Sequence, residues 1–216
     1  MSSKPSAPAP TLERLATYLQ LLSELQAQGV ETVSSADIEQ TAGIGAAQFR
    51  KDVSFFGGFG KPGVGYDVSE LLSQIASILR IDHEQTCLLI GAGNLGAALA
   101  AYPGFSAYNF HIAAVFDNDP KKIGTSFNGL IVRDISELCK VNDAIDAKIA
   151  LLAVPAQNAQ DVADLLVAAG IKAIMNFAPV YLKTSPKVYV RNAYFLQELA
   201  VLSFRLHQAE EERFSH

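Results

Sequence analysis

The chain has 216 residues, half of them apolar, and carries a formal net charge of −5. That suffices for one or two packed domains; no apolar run is long enough for a membrane span and Met1 to Pro10 lacks the apolar centre of a signal peptide, so a cytoplasmic protein is expected. Residues 1–80 carry 6 basic and 8 acidic side chains, residues 81–192 carry 9 and 10, and residues 193–216 carry 2 and 4, which excludes a global positive field and leaves DNA contact to a few placed cations doubled in a dimer.

Residues 1–10, with Pro5, Pro8 and Pro10 among Ser and Ala, read as a flexible tail. Leu12, Leu15, Leu19, Leu22 and Leu25 follow helical spacing, and Gly29 lies just past the end, so one amphipathic helix is expected over 11–28. A second begins at the capping box Ser34-x-x-Asp37 and ends at Ala42-Gly43; a third runs from Ala46 to Phe56. This is the helix-turn-helix layout. In the third helix Ala46, Phe49, Val53 and Phe56 form one apolar stripe, which leaves Ala47, Lys51 and Ser54 on the opposite face with Gln48 and Arg50 on its flanks. Small, polar and cationic side chains there suit a major groove, although a solvated helix face would look the same. The glycine-rich stretch Gly57–Tyr66 favours the DNA reading, because it can form a β-hairpin wing whose tip, near Lys61 and Gly63, meets a phosphate or minor groove. Asp67-x-x-Glu70 then caps a helix with Val68, Leu71, Leu72, Ile75, Ile78 and Leu79 on its apolar face, and this helix is expected to connect an N-terminal module over 11–80 to a second over 81–192.

From Thr86 strands and helices alternate. An apolar strand, 87–90, runs into Gly91-Ala92-Gly93-Asn94-Leu95-Gly96, and Asp117 follows Gly96 by 21 residues at the end of a second strand, 111–117. In such a fingerprint the first glycine makes the tight turn, the second admits a pyrophosphate, the third packs helix on strand, and the acidic residue binds the adenosine ribose. Further strands are expected near 129–133, 148–154, 171–177 and 187–191, with helices at 95–102, 135–141 and 157–169. The fold class is therefore α/β: a winged helix-turn-helix followed by a Rossmann-type, doubly wound parallel sheet. Ligand is expected at the carboxyl ends of the strands, beside the Gly91–Gly96 turn, Asp117–Lys122, Val154-Pro155-Ala156 and Asn176-Phe177-Ala178-Pro179. Residues 193–216 add a helix with Phe195, Leu199, Leu202, Phe204 and Leu206 after the sheet is complete; it either docks on its own domain or is exchanged between protomers of a two-fold dimer. Cys87 and Cys139 have no CxxC or Cys/His cluster around them and read as buried or half-buried thiols, with no metal site expected.

Together these segments resemble the Rex family of bacterial redox-sensing repressors. The resemblance spans residues 11 to about 206 and rests on Gln48–Asp52 with Phe55-Phe56-Gly57, Phe59–Tyr66, Gly91–Gly96, Tyr102-Pro103-Gly104-Phe105, Phe116–Pro120, Ala153–Ala156 and Asn176–Pro179. It implies a homodimer that holds a palindromic DNA operator when the NADH/NAD⁺ ratio is low and releases it when NADH binds. It also implies a switch in which an arginine of the first helix, here Arg14, pairs with an acidic residue at the start of the last helix; this chain has Tyr194 there. The wing has Pro62 where an arginine is common, leaving Lys61 alone.

The rival class is an NAD-dependent oxidoreductase, or a CoA- or nucleotide-binding subunit of related fold. His83, His111, His207 and His216 all fall away from the ligand loops, while Tyr102, Phe105, Phe177 and Phe195 near the expected nicotinamide pocket stack rather than shuttle protons. No catalytic residue is expected; Tyr102 reads as a structural or gating hydroxyl. The cofactor is expected to be NAD(H), not NADP(H), because Asp117 would repel a 2′-phosphate, with Lys121 and Lys122 facing solvent or another part of the ligand.

Overall fold

A computed structural model describes residues 7–57, 60 and 64–214, without the side chains of 209–214. The chain divides into two compact units, Met1–His83 and Glu84–His216.

The first unit opens with α1 (Ala9–Ala27). The helix begins earlier than the expected tail boundary, because Pro10 in its first turn forgoes only an N–H that would have had no helical acceptor. Gly29 follows it at φ +78°, the left-handed turn that ends the helix. After the short strand β1 (Thr32–Val33) comes α2 (Ser35–Ala42), whose capping box is formed reciprocally by Ser34 and Asp37 and which closes on Gly43 in the left-handed region. Helix α3 (Ala46–Ser54) stops two residues short of the expected end, with Phe55 as its C-cap. Of the expected wing, Lys61 and Gly63 lie outside the described residues. Strand β2 (Tyr66–Asp67) pairs antiparallel with β1. Gly65 makes the approach to β1 feasible: it sits at φ +102°, and a Cβ there would stand 2.8 Å from the Val33 carbonyl oxygen. Asp67 caps α4 (Val68–Ile78) by accepting from the Glu70 N–H. Leu15, Leu19 and Leu22 of α1, Ile38, Phe49, Val53, Val68, Leu71 and Ile75 close the core. Tyr18, Phe49 and Tyr66 run through it as edge-to-face pairs at 4.9 and 5.1 Å.

The second unit is built on β3 (Gln85–Ile90), α5 (Asn94–Ala100), the one-turn helix α6 (Gly104–Ala107), β4 (Phe110–Asp117), β5 (Ser126–Phe127) and β6 (Leu130–Asp134). A 3₁₀ turn at Ile135–Glu137 leads to α7 (Leu138–Ile145), β7 (Ile149–Leu152), α8 (Ala156–Ala168), β8 (Ala173–Asn176) and β9 (Tyr189–Asn192). The seven strands lie in the order β5-β6-β4-β3-β7-β8-β9, all pairs parallel except β5 with β6. Both faces are covered, as the unbroken apolar strands require: Leu88, Ile90 and Phe116 pack toward α7 and α8, and Leu89, Val115 and Leu151 toward the Leu99 and Phe105 side. Cys87 is buried, and burial pushes its thiol up to about 11; Cys139, expected to be at least half-buried, is exposed on α7.

Helix α9 (Phe195–Phe214) follows the sheet. Phe195, Leu196, Leu199, Leu202, Phe204 and Leu206 are each more than half exposed, at 57 to 70 %, so the helix leaves an apolar face uncovered by its own chain.

Candidate functional site

The strand order reverses between β3 and β7, and the carboxyl ends of β3, β4, β7 and β8 border a cavity of about 720 Å³. Such a reversal is where a doubly wound sheet leaves room for a ligand. Of the residues expected there, Gly91, Gly93, Asn94, Leu95, Asp117, Val154, Pro155 and Phe177 line it. Each glycine has its own reason. Gly91 adopts φ +106°, and a Cβ on it would meet the Ala153 carbonyl oxygen at 2.3 Å. A Cβ on Gly96 would stand 1.9 Å from the Gly91 carbonyl oxygen, so only glycine lets α5 rest on this turn. Gly93 has nothing within 4 Å of such a Cβ; its backbone faces open space beside the first turn of α5, whose N–H groups have no helical acceptors. The geometry suits a pyrophosphate, which needs close backbone approach and N–H donors.

Asp117 ends β4 with its side chain 8 % exposed. Its Oδ2 accepts from the Ala92 N–H at 2.8 Å and from Lys122 Nζ at 2.9 Å, and its Oδ1 from the Asp119 N–H at 2.9 Å. Burial opposes the charge, but these hydrogen bonds and the ammonium outweigh it and hold the carboxyl below its usual range. Lys122, expected to face solvent or another part of the ligand, thus turns back onto Asp117 because the 119–124 turn reverses the chain, with the Lys122 and Ile123 N–H groups both donating to the Asp119 carbonyl. The far wall was not read from the sequence. Asn158, Asp161, Val162 and Leu165 of α8 line it with Ile135, and their i, i+3, i+4, i+7 spacing after the Val154-Pro155 loop was the available signal.

The other expected ligand residues stand apart. Ala92 contributes its N–H to Asp117. Asn176, fully buried, spends its amide on its own loop and on Asn192: Nδ2 donates to the Val180 carbonyl at 2.8 Å and to the side-chain Oδ1 of Asn192 at 2.8 Å, and Oδ1 accepts from the Ala178 N–H. It shapes the loop that carries Phe177. Tyr102 is 60 % exposed and packs edge-to-face on Phe105 at 5.5 Å, beside a separate, smaller cleft with His111 and Asn128. Phe195 lies on the exposed face of α9, and Tyr194 borders a small cavity of about 100 Å³ with Val180, Tyr181 and Asn192.

In the first unit, Ala47, Arg50, Lys51 and Ser54 are exposed on α3, and Arg50 Nη1 donates to Ser35 Oγ at 2.7 Å. Gln48 is half-buried and donates to Asp52 Oδ1 at 2.9 Å. Asp52 is the hub beneath this helix, 2 % exposed. It accepts from Arg14 Nε at 2.5 Å, Arg14 Nη2 at 2.7 Å, the Tyr18 hydroxyl at 3.0 Å and Thr11 Oγ1 at 3.4 Å. Burial disfavours the Asp52 charge, yet the Arg14, Gln48 and Tyr18 hydrogen bonds bring its carboxyl below the usual range; burial and the bond to Asp52 push the Tyr18 hydroxyl up. Arg14 is thereby paired with Asp52 within its own unit.

No group of His, Cys, Asp or Glu among the described residues is placed to hold a metal ion, and no described helix is long and apolar enough to cross a membrane. A glycine turn and buried carboxylate at the reversal point of a doubly wound sheet, joined in one chain to a helix-turn-helix, define the class of ligand-sensing transcription regulators. The family described as "CoA binding domain" matches residues 82–180, and the family described as "Putative DNA-binding protein N-terminus" matches residues 6–54. The chain is 46 % identical to the redox-sensing transcriptional repressor Rex of Carboxydothermus hydrogenoformans over 92 % of this chain and 96 % of that protein, and 43 % identical to Rex of Desulfitobacterium hafniense over 92 % and 95 %. Among solved structures it is similar to RSP in complex with β-NAD⁺ and operator DNA (36 % identity, TM-score 0.88, 97 % of each chain) and to RSP in complex with β-NADH (34 % identity, TM-score 0.89, 99 % of this chain and 100 % of that one). The chain belongs to the Rex family of redox-sensing transcriptional repressors.

Proposed function

We propose that this chain represses transcription in the cytoplasm as a homodimer that binds a palindromic operator and lets go when NADH fills the cavity at the reversal point of its sheet. The observation that carries the reading is the pairing, in one chain, of the Gly91–Gly96 turn and Asp117 with the exposed Ala47, Arg50, Lys51 and Ser54 face of α3. The relatives named Rex and the RSP complexes with NAD⁺, NADH and operator DNA support it. In this reading the turn holds the pyrophosphate, Asp117 takes a ribose hydroxyl, and Leu95, Val154, Pro155 and Phe177 surround the nicotinamide end. An apolar surround favours the neutral reduced ring over the cationic oxidised one, since desolvating a charge costs free energy. Tyr102 and Phe195 do not line this cavity, and their proposed contact with the nicotinamide, like the proposed part of Arg14 and Tyr194 in switching, is assigned to the dimer. On α3, Arg50 and Lys51 reach phosphates or guanine edges, Ala47 and Ser54 allow close approach, and Gln48 has its remaining amide atoms for a base; the DNA contacts expected of Lys61 and Gly63 fall outside the described residues.

The reading is of a sensor without catalysis. Among the described residues the cavity wall holds no histidine, cysteine, tyrosine, serine or threonine. A CoA-binding reading, raised by the match over residues 82–180, is disfavoured by Asp117 and Asp119, which would set two carboxylates beside a 3′-phosphate. The exposed apolar face of α9 supports a dimer in which that helix is exchanged or at least interfacial.

The test is a labelled duplex selected from random DNA by the protein itself, followed by fluorescence anisotropy during titration with NADH, NAD⁺ and NADPH. Release by NADH at concentrations where NAD⁺ and NADPH leave the complex intact is the expected result. A complex indifferent to NADH overturns the reading.

A further inference from the structure

Gln48 is the third residue of α3, close to the end of the helix that meets base edges when such a helix lies in a major groove. Its amide is held by the protein. Nε2 donates to Asp52 Oδ1 at 2.9 Å, one turn further along the same helix. An ionised carboxylate only accepts, so Oε1 cannot take that place and the two ends of the amide are told apart before any DNA arrives. Asp52 is itself immobilised: it is 2 % exposed, Arg14 donates to both of its oxygens, and the Tyr18 hydroxyl donates to Oδ2. Burial works against its charge, yet the bonds from Arg14, Gln48 and Tyr18 outweigh it and hold the carboxyl below its usual range, so the acceptor is ionised. Donating once to Asp52 leaves Gln48 its Oε1 and a second N–H.

The geometry points to Gln48 as the reader of one adenine in each half-site of the operator, with Asp52 as the residue that positions its amide. This rests on the reading of α3 as the DNA-contacting helix and names the base that it selects. An acceptor beside a donor matches the N6 amino group and N7 on the major-groove edge of adenine. Guanine presents two acceptors there, O6 and N7, and would leave Oε1 facing O6. Turned over, with Oε1 inward, the amide would offer two hydrogens outward and suit guanine instead; the fixed carboxylate of Asp52 is what refuses that orientation. The neighbours leave this position to Gln48, since Ala47 has no polar side-chain atom and Arg50 is tied to Ser35 Oγ. Ordering a long side chain costs entropy, and here that cost falls on folding and not on binding.

Selection of bound duplexes from random DNA by the full-length protein without NADH, read as base preference at every position, tests this. The unmodified protein is expected to prefer adenine at one symmetry-related position of each half-site. Gln48→Ala is expected to lose that preference by about 5- to 150-fold, the worth of one bidentate pair, and to keep the others. Gln48→Glu accepts but cannot donate to N7, so it too should lose adenine there. Asp52→Asn can donate its own N–H to Oε1 and let the amide turn over; its preference is expected to relax toward guanine at that position alone, whereas a merely loosened fold would weaken every position together. Unchanged preferences in Gln48→Ala, or loss of a preference for some base other than adenine, overturn the assignment of Gln48. An Asp52→Asn protein that selects as the unmodified one does overturns the positioning role. Where Asp52→Asn does not fold, Gln48→Glu decides, and adenine retained by it overturns the proposal. An unmodified protein that selects no sequence overturns the DNA reading itself, so the two failures are distinguishable.

Discussion

Replacing Gly96 by alanine puts a methyl group where the structure has no space for one. The added Cβ would stand 1.9 Å from the Gly91 carbonyl oxygen and 3.1 Å from its carbon, and both are backbone atoms that no rotamer change can move. Ordinary contact begins near 3.4 Å, so α5 has to lift off the turn by roughly 1.5 Å. Overpacking of this kind costs about 1–3 kcal/mol of stability. The larger effect falls on the ligand, because the N–H groups at the start of α5 move with the helix while Gly91 stays tied to β4 through its N–H to the Phe116 carbonyl. Losing the alignment of one charge-assisted hydrogen bond, about 1.5–3 kcal/mol, corresponds to a roughly 10- to 150-fold loss of NADH affinity. Gly93→Ala is the paired control: its Cβ meets nothing within 4 Å, so it should leave the melting temperature unchanged while still obstructing the pyrophosphate. Calorimetry with NADH and thermal unfolding of both variants, with ligand-free operator affinity as the reference, measures this. A Gly96→Ala protein with NADH affinity within about twofold of the unmodified chain would refute the assignment of phosphate binding to this turn.

On α3, Arg50→Ala with Lys51→Ala should cost about 1–3 kcal/mol per lost base contact, felt twice in a dimer, with NADH affinity unchanged; full operator affinity at moderate salt would remove α3 as the reading helix. Deleting residues from Tyr194 onward takes away the exposed apolar face of α9, and sedimentation should then give monomer or aggregate, a defined dimer being the contrary result. Asp52→Asn should destabilise the first unit by about 2–4 kcal/mol above pH 5, since one partner of a buried pair is lost. Because the folded carboxyl of Asp52 lies below its unfolded value, near 3.9, its contribution is fully present above that value and is lost as pH falls through the folded one. Urea unfolding from pH 7 to pH 2 should show the gap between the two proteins closing only below about pH 4; a gap independent of pH would mean that Asp52 is not the charged hub.

The parts of this protein that were legible in its sequence are those whose cause is local. Gly91 and Gly96 each answer a steric demand of one turn, Gly93 leaves its backbone open, Asp117 follows at the length of one helix and one strand, and Ser34 with Asp37 caps α2 within four residues. What escaped was set by distant partners. Strand β1 has only two residues and exists because Tyr66–Asp67 returns to it; the five-residue loop back from Asp117 to Lys122 left no periodic trace. Asp52 could have been found: with Phe49, Val53 and Phe56 it falls on one helical face, as Arg14 and Tyr18 fall with Leu15, Leu19 and Leu22 on α1. A carboxylate on an apolar stripe needs a buried cation, and the chain offered one at the facing helix.

A ligand shifts an equilibrium only as far as it binds one state better than the other, so the segment it touches has to be joined to the segment that changes. Phe177 is in the cavity wall, and its neighbour Asn176 is fully buried. Asn176 Nδ2 donates to Asn192 Oδ1, and the Ala193 N–H donates to the Asn176 carbonyl at 2.8 Å. Asn192 and Ala193 are the last residues before Tyr194 and α9, and Tyr194 shares its small cavity with the Ala178–Tyr181 loop that Asn176 also fastens. Every polar atom of the Asn176 amide is used in this joint, so the loop cannot shift at Phe177 without either carrying Asn192 along or leaving a buried amide unpaired, at about 1–3 kcal/mol. That cost is comparable to a typical coupling free energy between two sites. The cavity wall at Phe177 and the root of the exposed helix are therefore joined through a single buried amide.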